Sequence, residues 1–137
     1  IWLAVDASTL ENGCLQVIKG SHADGTLKEH KTNDGPGLAL NRELLPEYFD
    51  ETKAVNIELE AGQMSLHDVF LLHGSDPNQS PNPRRGMTMR FMPTTSLFDR
   101  RIAAEQAQQH GFVGHENREI LLMRGVDRHG GNEFYAQ

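Results

Sequence analysis

Strict alternation of apolar and polar residues is the feature that most constrains how this chain folds. Residues 55–60 (VNIELE) place an apolar side chain at every second position, which is the pattern of a β-strand with one buried face. Residues 61–62 (AG) follow as a turn, and residues 74–83 (GSDPNQSPNP) are almost all turn-forming residues. The chain is therefore predicted to consist of short strands joined by turns.

The remaining predicted elements follow the same signals along the sequence. Asn12-Gly13 is a hairpin signal and predicts that the strand after it returns along the strand before it. Residues 19–40 are predicted to form a long loop, and loops of this length in compact domains tend to be functional or disordered. Short helices are predicted at residues 41–49 and 97–109. The predicted strands are residues 2–7, 14–18, 55–60, 63–73, 86–92 and 120–123.

This succession of strands with two minor helices predicts a mainly β fold, a β-sandwich or jelly roll. We expect one domain over residues 1–137. The chain starts at Ile1 in an apolar, strand-like segment and has no initiator Met. We therefore expect the domain to be N-terminally incomplete, with a further part upstream.

Composition excludes several classes of partner. The chain of 137 residues has a net charge of −6 and no basic stripe, which argues against nucleic-acid binding. No apolar run reaches the roughly 20 residues that a membrane-spanning helix needs, so no membrane partner is expected. Cys14 is the only cysteine, which rules out an internal disulfide. A reducing, cytoplasmic location is predicted.

The most informative group of candidate functional residues is His73, followed by Ser75 and Arg84. His73 lies where a predicted strand meets a Gly-rich turn, a position suited to a metal ligand at the mouth of a barrel. Arg84 opens the next strand, and an inward-pointing guanidinium needs an anion because burying it unpaired is prohibitive. A dicarboxylate held by Arg84, with a further hydrogen bond from Ser75, would satisfy it. From spacing alone, a surface histidine, a turn serine and solvated arginines remain the alternative.

Two runs of the sequence resemble the phytanoyl-CoA dioxygenase family of Fe(II)- and 2-oxoglutarate-dependent oxygenases. The first comprises residues 1–6 (IWLAVD) and 11–22 (ENGCLQVIKGSH). The second comprises residues 60–63 (EAGQ), 73–80 (HGSDPNQS) and 83–86 (PRRG). Both occur in the family's order and cover about half of the chain.

The resemblance implies a double-stranded β-helix, the cupin-like jelly roll, that hydroxylates a small organic molecule with O₂. It implies iron(II) and 2-oxoglutarate as metal and cosubstrate. His73 matches the distal metal-binding histidine, and Arg84 matches the arginine that binds the far carboxylate of 2-oxoglutarate. Ser75 matches a hydroxyl contact to the same cosubstrate, while Trp2 and Asp6 match residues that line the pocket near metal and cosubstrate.

The metal site is where the sequence departs from the family pattern. Such sites use two histidines and one carboxylate on one face of the iron, and the family's other two ligands form a His-x-Asp motif upstream of the position of Trp2. Within the chain, His22 and Asp24 also fit His-x-Asp, but in a turn-rich stretch. His67 is excluded as a partner of His73, because six residues of a straight strand separate the two by about 20 Å.

Two alternative hypotheses about the function of the chain remain open. The chain could be a non-catalytic β-domain fragment that binds an anion at Arg84, or a cupin-type isomerase or small-molecule-binding protein, which would need several clustered histidines. The sequence leaves open the identity of the substrate and whether the protein is a homo-oligomer.

Overall fold

Antiparallel β-strands dominate the computed structural model, which describes residues 1–36, 38, 41–110 and 115–135. The chain divides into two units, Ile1–Arg90 and Phe91–Gln137. Every strand that the described residues form lies in the first unit, and their one α-helix lies in the second. The chain is therefore mainly β with few helices, as the alternation predicts. One domain over residues 1–137 stays a prediction.

The described part of the first unit contains eight short strands. They are β1 (Trp2–Ala4), β2 (Leu15–Ile18), β3 (His30–Thr32), β4 (Arg42–Leu44), β5 (Ala54–Ile57), β6 (Met64–Ser65), β7 (His73–Ser75) and β8 (Gly86–Thr88). Two three-stranded sheets have the orders β6-β1-β8 and β5-β2-β7, and β3 pairs with β4. All of these pairs are antiparallel. An isolated bridge between Ser8 and Leu59 lies between the segments that follow β1 and β5.

The predicted hairpin at Asn12-Gly13 is wrong, because β1 and β2 belong to different sheets. The turn itself is present and is closed by the buried side chain of Asn12, which accepts a hydrogen bond from Thr9 N and donates one to Ala7 O, both at 2.8 Å. Gly13 has a positive φ of 77°, which favours glycine. The turn therefore carries the chain from one sheet to the other instead of folding it back.

The predicted strand over residues 63–73 is also wrong. Its two ends are β6 and β7, which lie in different sheets. Between them Asp68 stops the strand, because its carboxylate accepts a hydrogen bond from Phe70 N at 2.9 Å and its carbonyl accepts one from Leu71 N at 3.2 Å. Such Asx-type turns compete with extended structure. An apolar run that looks continuous in the sequence is thus bent between two strands.

Between β2 and β5, the structure contains the short strands β3 and β4, where the sequence predicted a long loop and a helix. Part of the predicted loop pairs as β3 with β4, while its residues 37, 39 and 40 lie outside the described residues. The helix predicted at residues 41–49 is wrong, because the chain there forms β4 and a single 3₁₀ turn, Pro46–Tyr48. A second 3₁₀ turn, Glu51–Lys53, leads into β5.

In the second unit the helix prediction is confirmed. α1 spans Arg100–His110 and begins after Asp99, whose carboxylate accepts hydrogen bonds from Arg101 N and Ile102 N at 2.9 and 3.0 Å, as an N-cap residue does. The strand predicted at residues 120–123 is absent from the structure as described. None of the helices within the described ranges has the length and apolar character to cross a membrane.

The interior of the described chain is small and partly polar. Its buried hydrophobic side chains are Ala4 and Cys14, and its buried polar ones are Ser8 and Asn12. All four lie on β1 or on the segment that links β1 to β2. The backbone ladders and the Asn12 hydrogen bonds therefore hold this region together more than a packed apolar core does.

We predict that Gly13→Ala destabilises the fold far more than Gly20→Ala. Both glycines have a positive φ, 77° and 81°, so each alanine costs about 1–2 kcal/mol of backbone strain. A Cβ at Gly13 would also lie 2.2 Å from the carbonyl oxygen of Asp76, whereas a Cβ at Gly20 meets nothing within 4 Å. Urea unfolding of the two variants measures the difference, and equal losses would contradict the close approach at Gly13.

Candidate metal and anion site

His73 is presented at the edge of a sheet by β7, where it pairs in register with Val17 of β2. Its Nδ1 lies 2.7 Å from the carbonyl oxygen of Leu71. A carbonyl only accepts hydrogen bonds, so Nδ1 carries a hydrogen and Nε2 is the ring nitrogen left for a metal. Metal-bound histidines usually donate their second N–H in this way. The exposed ring of His73 is thus in the tautomer that can bind a metal through Nε2.

The same local bond occurs at His30, whose Nδ1 lies 2.8 Å from Lys28 O. The bond by itself therefore does not distinguish a metal ligand from a surface histidine. His73 differs from His30 in having a second imidazole beside it.

The ring of His67 lies with its centroid 5.5 Å from that of His73, at an interplanar angle of 46°. The exclusion of His67 by distance is therefore wrong. It assumed one straight strand, whereas the chain bends at Asp68. Burial lowers the pKa of His67, and the neighbouring charge of His73 lowers it further, so the neutral imidazole is favoured. Within the described residues, His67 Nδ1 is buried and has no hydrogen-bond partner.

Arg84 is held by an aromatic ring. Its guanidinium carbon lies 5.8 Å from the ring centroid of Trp2, within the range of a cation–π contact. The indole lies over Gly86, where an added Cβ would come within 2.2 Å of the ring atom Cζ2. Glycine at position 86 therefore allows the indole to lie across β8 and to support Arg84. The sequence pointed to Trp2 and Arg84 separately but not to their contact.

Arg85, by contrast, is paired inside the chain. Its Nε and one terminal nitrogen donate to the two carboxylate oxygens of Asp6 at 2.8 Å, and its backbone N–H donates to the same group at 2.9 Å. The side-chain hydrogen bond from Arg85 is the main cause that lowers the pKa of Asp6 to about 2. No carboxylate of the described residues forms an ion pair with Arg84. Of the two adjacent arginines, Arg85 has a counter-ion among the residues that the structure describes and the half-buried Arg84 has none there.

The other residues predicted for the site have different surroundings. Ser75 lies two residues after His73 in β7 and is exposed, and no hydrogen bond between described side chains joins it to Arg84. Asp24 is bound to the side chain of Lys28 and accepts a hydrogen bond from Thr26 N at 3.0 Å. These hydrogen bonds, first of all that from Lys28, lower the pKa of Asp24 to about 2.

Iron of the predicted type needs three protein donors, two imidazoles and one carboxylate. No group of three or more His, Cys, Asp or Glu side chains suited to a metal ion occurs among the residues that the structure describes. His22, Asp24 and His73 therefore do not gather as one site. His73 fits one position of the donor set, and the described chain does not complete the set.

This mainly β protein thus presents the exposed imidazole of His73 and the guanidinium of Arg84, which lies against Trp2 and is unpaired within the described ranges. Comparison with known proteins gives its family. The family profile described as phytanoyl-CoA dioxygenase (PhyH) matches residues 1–86. The chain belongs to the phytanoyl-CoA dioxygenase family. The matched segment contains all five predicted site residues, which are Trp2, Asp6, His73, Ser75 and Arg84.

Individual relatives agree with the family match. A phytanoyl-CoA dioxygenase domain-containing protein 1 homolog of Dictyostelium discoideum is 34% identical over 94 residues, which are 67% of this chain and 34% of that protein. Phytanoyl-CoA dioxygenase of Arabidopsis thaliana is 33% identical over 89 residues, covering 65% and 30%. Peroxisomal phytanoyl-CoA dioxygenase of Homo sapiens is 28% identical over 92 residues, covering 66% and 27%. The chain spans about a third of the length of these relatives. No solved structure matches it.

We predict that Gly86→Ala changes the fluorescence of Trp2, because the new methyl group displaces the indole from β8. Trp2 is the only tryptophan of the chain, so the tryptophan emission comes from this ring alone. Gly74→Ala is the matched control, since a Cβ there meets nothing within 4 Å. An emission spectrum unchanged by Gly86→Ala, or changed equally by both variants, would contradict the placement of the ring.

We also predict that the Asp6–Arg85 pair makes stability depend on pH in the acid range. An aspartate whose pKa is lowered by folding stabilises the native state above its unfolded pKa of about 3.9, and this contribution is lost as pH falls toward the folded value. The urea concentration at the unfolding midpoint should therefore decrease as the pH is lowered from 4 to about 2. The dependence should weaken in Asp6→Asn, and salt should weaken it too because the pair is on the surface.

The dependence should persist in part in Asp6→Asn, because Asp24 has a similarly lowered pKa and titrates over the same range. Adding Asp24→Asn should reduce it further. A pH profile that Asp6→Asn leaves unaltered would contradict the ion pair.

Proposed function

We propose that this chain is part of an Fe(II)- and 2-oxoglutarate-dependent dioxygenase that hydroxylates a small organic molecule. Family membership supports the dioxygenase class. The observation that carries the proposal is the contrast between two adjacent arginines. Arg85 is neutralised by Asp6, whereas Arg84 lies against Trp2 and forms no ion pair with a carboxylate of the described residues. A half-buried guanidinium left in this state is suited to an anionic ligand.

In this proposal Arg84 binds the far carboxylate of 2-oxoglutarate through paired N–H donors. The Trp2 ring limits the orientations open to the guanidinium, so less conformational freedom is lost when the ligand binds. Ser75 donates a further hydrogen bond to the same carboxylate. Asp6 lines the pocket, with Arg85 fixing the direction of its carboxylate.

His73 is proposed to bind iron(II) through Nε2, with Nδ1–H fixed on Leu71 O. The other histidine and the carboxylate of the set are proposed to come from outside residues 1–137. When bound, iron(II) supplies the redox chemistry by which O₂ converts 2-oxoglutarate to succinate and CO₂ and places its second oxygen atom in a C–H bond of the substrate.

A double-stranded β-helix is the fold that we propose for the complete domain. Its support is the pair of three-stranded antiparallel sheets, together with the crossing of the chain between them at Asn12-Gly13 and again at Asp68. Repeated crossing from sheet to sheet is typical of jelly rolls.

The experiment is a comparison of Arg84→Ala with Arg85→Ala in the full-length protein. We predict that Arg84→Ala raises the KM for 2-oxoglutarate about 100-fold, since losing a partly desolvated charge pair costs about 3 kcal/mol. Arg84→Lys should recover part of this loss, because lysine keeps the charge but not the paired donors. Arg85→Ala should raise the KM far less than Arg84→Ala, because its guanidinium is bound to Asp6 and acts on the pocket only through that carboxylate.

Succinate formation at varied 2-oxoglutarate concentration gives these constants. Equal effects of the two alanine variants would contradict the assignment of Arg84. Binding of 2-oxoglutarate through Arg84 with no succinate formed in the unaltered protein would favour the second candidate, a non-catalytic β-domain that binds an anion. The observation in favour of this candidate is that the described donors do not complete a metal site.

A further inference from the structure

One peptide group connects the imidazole of His73 to a serine far away in the sequence. The ring donates from Nδ1 to the carbonyl oxygen of Leu71 at 2.7 Å. The N–H of the same peptide belongs to Leu72 and donates to the hydroxyl oxygen of Ser21 at 2.8 Å. A trans peptide is planar and its C=O and N–H point in opposite directions, so fixing one of them fixes the other. The hydroxyl of Ser21 and the ring of His73 are therefore joined by one rigid group.

Ser21 is held in place by the turn that ends β2. Its backbone N–H donates to Ile18 O at 3.2 Å, and Gly20 within the turn has a φ of 81°, which favours glycine. The same turn holds the other side of Leu72, since Ile18 N donates to Leu72 O at 3.0 Å. Ser21 and Leu72 are both half-buried, so water competes less for their hydrogen bond. Both peptide groups that flank Leu72 are thus fixed by residues of this turn.

His30 is a comparison within the same chain. Its Nδ1 lies 2.8 Å from the carbonyl oxygen of Lys28, the same contact to a residue two positions earlier that His73 makes. The N–H of that supporting peptide belongs to Glu29, and no side chain in the described ranges accepts a hydrogen bond from it. A hydroxyl bound to the supporting peptide therefore separates His73 from His30.

We infer that Ser21 is a positioning residue for the metal ligand His73. By fixing the peptide between Leu71 and Leu72, its hydroxyl keeps the Nδ1–H of His73 on the carbonyl and leaves Nε2 as the coordinating nitrogen. Hydrogen bonds in such a chain strengthen one another. The inference rests on the proposed role of His73 and adds no donor to the set of two histidines and one carboxylate. The competing explanation is that Ser21 only joins the turn to β7 and contributes to stability.

The first measurement is the affinity of the full-length protein for Zn²⁺, which stands in for iron(II) because it has no redox chemistry. Ser21→Ala removes the acceptor of the Leu72 N–H and should weaken Zn²⁺ binding about tenfold, since partners that orient a ligating histidine are worth roughly 10–100-fold in metal affinity. Ser21→Thr keeps the hydroxyl and should restore most of the affinity. Titration calorimetry gives these values.

The second measurement is the ring tautomer of His73 in the metal-free, ¹⁵N-labelled protein. Its resonances are identified by their absence in His73→Gln. We expect Nδ1 to carry the hydrogen in the unaltered protein and the two ring nitrogens to share it in Ser21→Ala. A contribution to stability alone would leave the tautomer of the folded protein unchanged, so this spectrum separates the two explanations.

Ser80→Ala is the matched control. The hydroxyl of Ser80 also accepts a hydrogen bond from a backbone N–H, that of Asn82 at 3.2 Å, but within the loop that follows β7. We expect this variant to keep the Zn²⁺ affinity and the tautomer of His73. The inference is overturned if Ser21→Ala leaves both unchanged, or if Ser80→Ala alters them as much.

Hydrogen exchange in the unaltered protein tests the inference without any variant, in case Ser21→Ala does not fold. Coupling between two sites is reciprocal, so Zn²⁺ bound at His73 should strengthen the hydrogen bond from Leu72 N to Ser21. Exchange of the Leu72 amide should therefore slow when Zn²⁺ is added. The amide of Leu59, which donates to Ser8 O at 2.9 Å, is the reference for general stabilisation. Equal slowing of both amides, or of neither, would contradict the inference.

The inference and the proposed function can fail separately. If His73→Gln lowers the affinity for Zn²⁺ and Ser21→Ala does not, the positioning role of Ser21 is wrong and the proposed role of His73 stands. If His73→Gln itself leaves the affinity unchanged, the proposed metal ligand is wrong and the inference fails with it. If both variants lower the affinity but Arg84→Ala leaves the KM for 2-oxoglutarate unchanged, the positioning role stands and the cosubstrate assignment fails.

Discussion

The buried side chain of Asn12 is the interaction on which the arrangement of the first unit depends. It accepts from Thr9 N and donates to Ala7 O, and its amide also reaches Pro83 O at 3.4 Å. One side chain therefore ties the segment that follows β1 to the segment that precedes Arg84. A buried amide satisfied on several sides fixes a backbone conformation more narrowly than apolar contact does. Few apolar side chains are buried among the described residues, so this hydrogen bond and the β1–β8 ladder together hold the segment before Arg84 beside β1.

The local sequence pattern predicted where strands occur much better than it predicted which strands pair with each other. The alternation at residues 55–60 marks β5, and turn residues around Gly62 and after Ser75 bound neighbouring strands, although Gly74 and Ser75 of the predicted turn belong to β7. The Asn12-Gly13 signal identified a real turn but suggested a hairpin, because the two-residue signal says nothing about which sheet the next strand joins. Pairing depends on contacts between residues far apart in the sequence. Those contacts cannot be read from one segment.

The same limit explains what the sequence predicted of the site. Residue type and order pointed to Trp2, Arg84 and His73, because those positions carry the family resemblance. The pairing of His67 with His73 was missed, because residues 63–73 contain an apolar stretch that hides the bend. Asp68 was the available signal, since an aspartate in a strand-like run can bond its own backbone and turn the chain. Two further residues were recognised only from their contacts in the structure. Gly86 leaves room for the indole of Trp2, and Arg85 pairs with Asp6.

The proposed function depends above all on Arg84, which lies against Trp2 and is proposed to bind a carboxylate of the cosubstrate. The most direct measurement is the fluorescence of Trp2 in the 137-residue chain during titration with 2-oxoglutarate, with pyruvate as the matched control that keeps the keto acid but lacks the far carboxylate. We expect a saturable change in emission with 2-oxoglutarate, a much weaker one with pyruvate, and loss of the response in Arg84→Ala. Equal responses to both acids, or a response that survives Arg84→Ala, would contradict this role of Arg84.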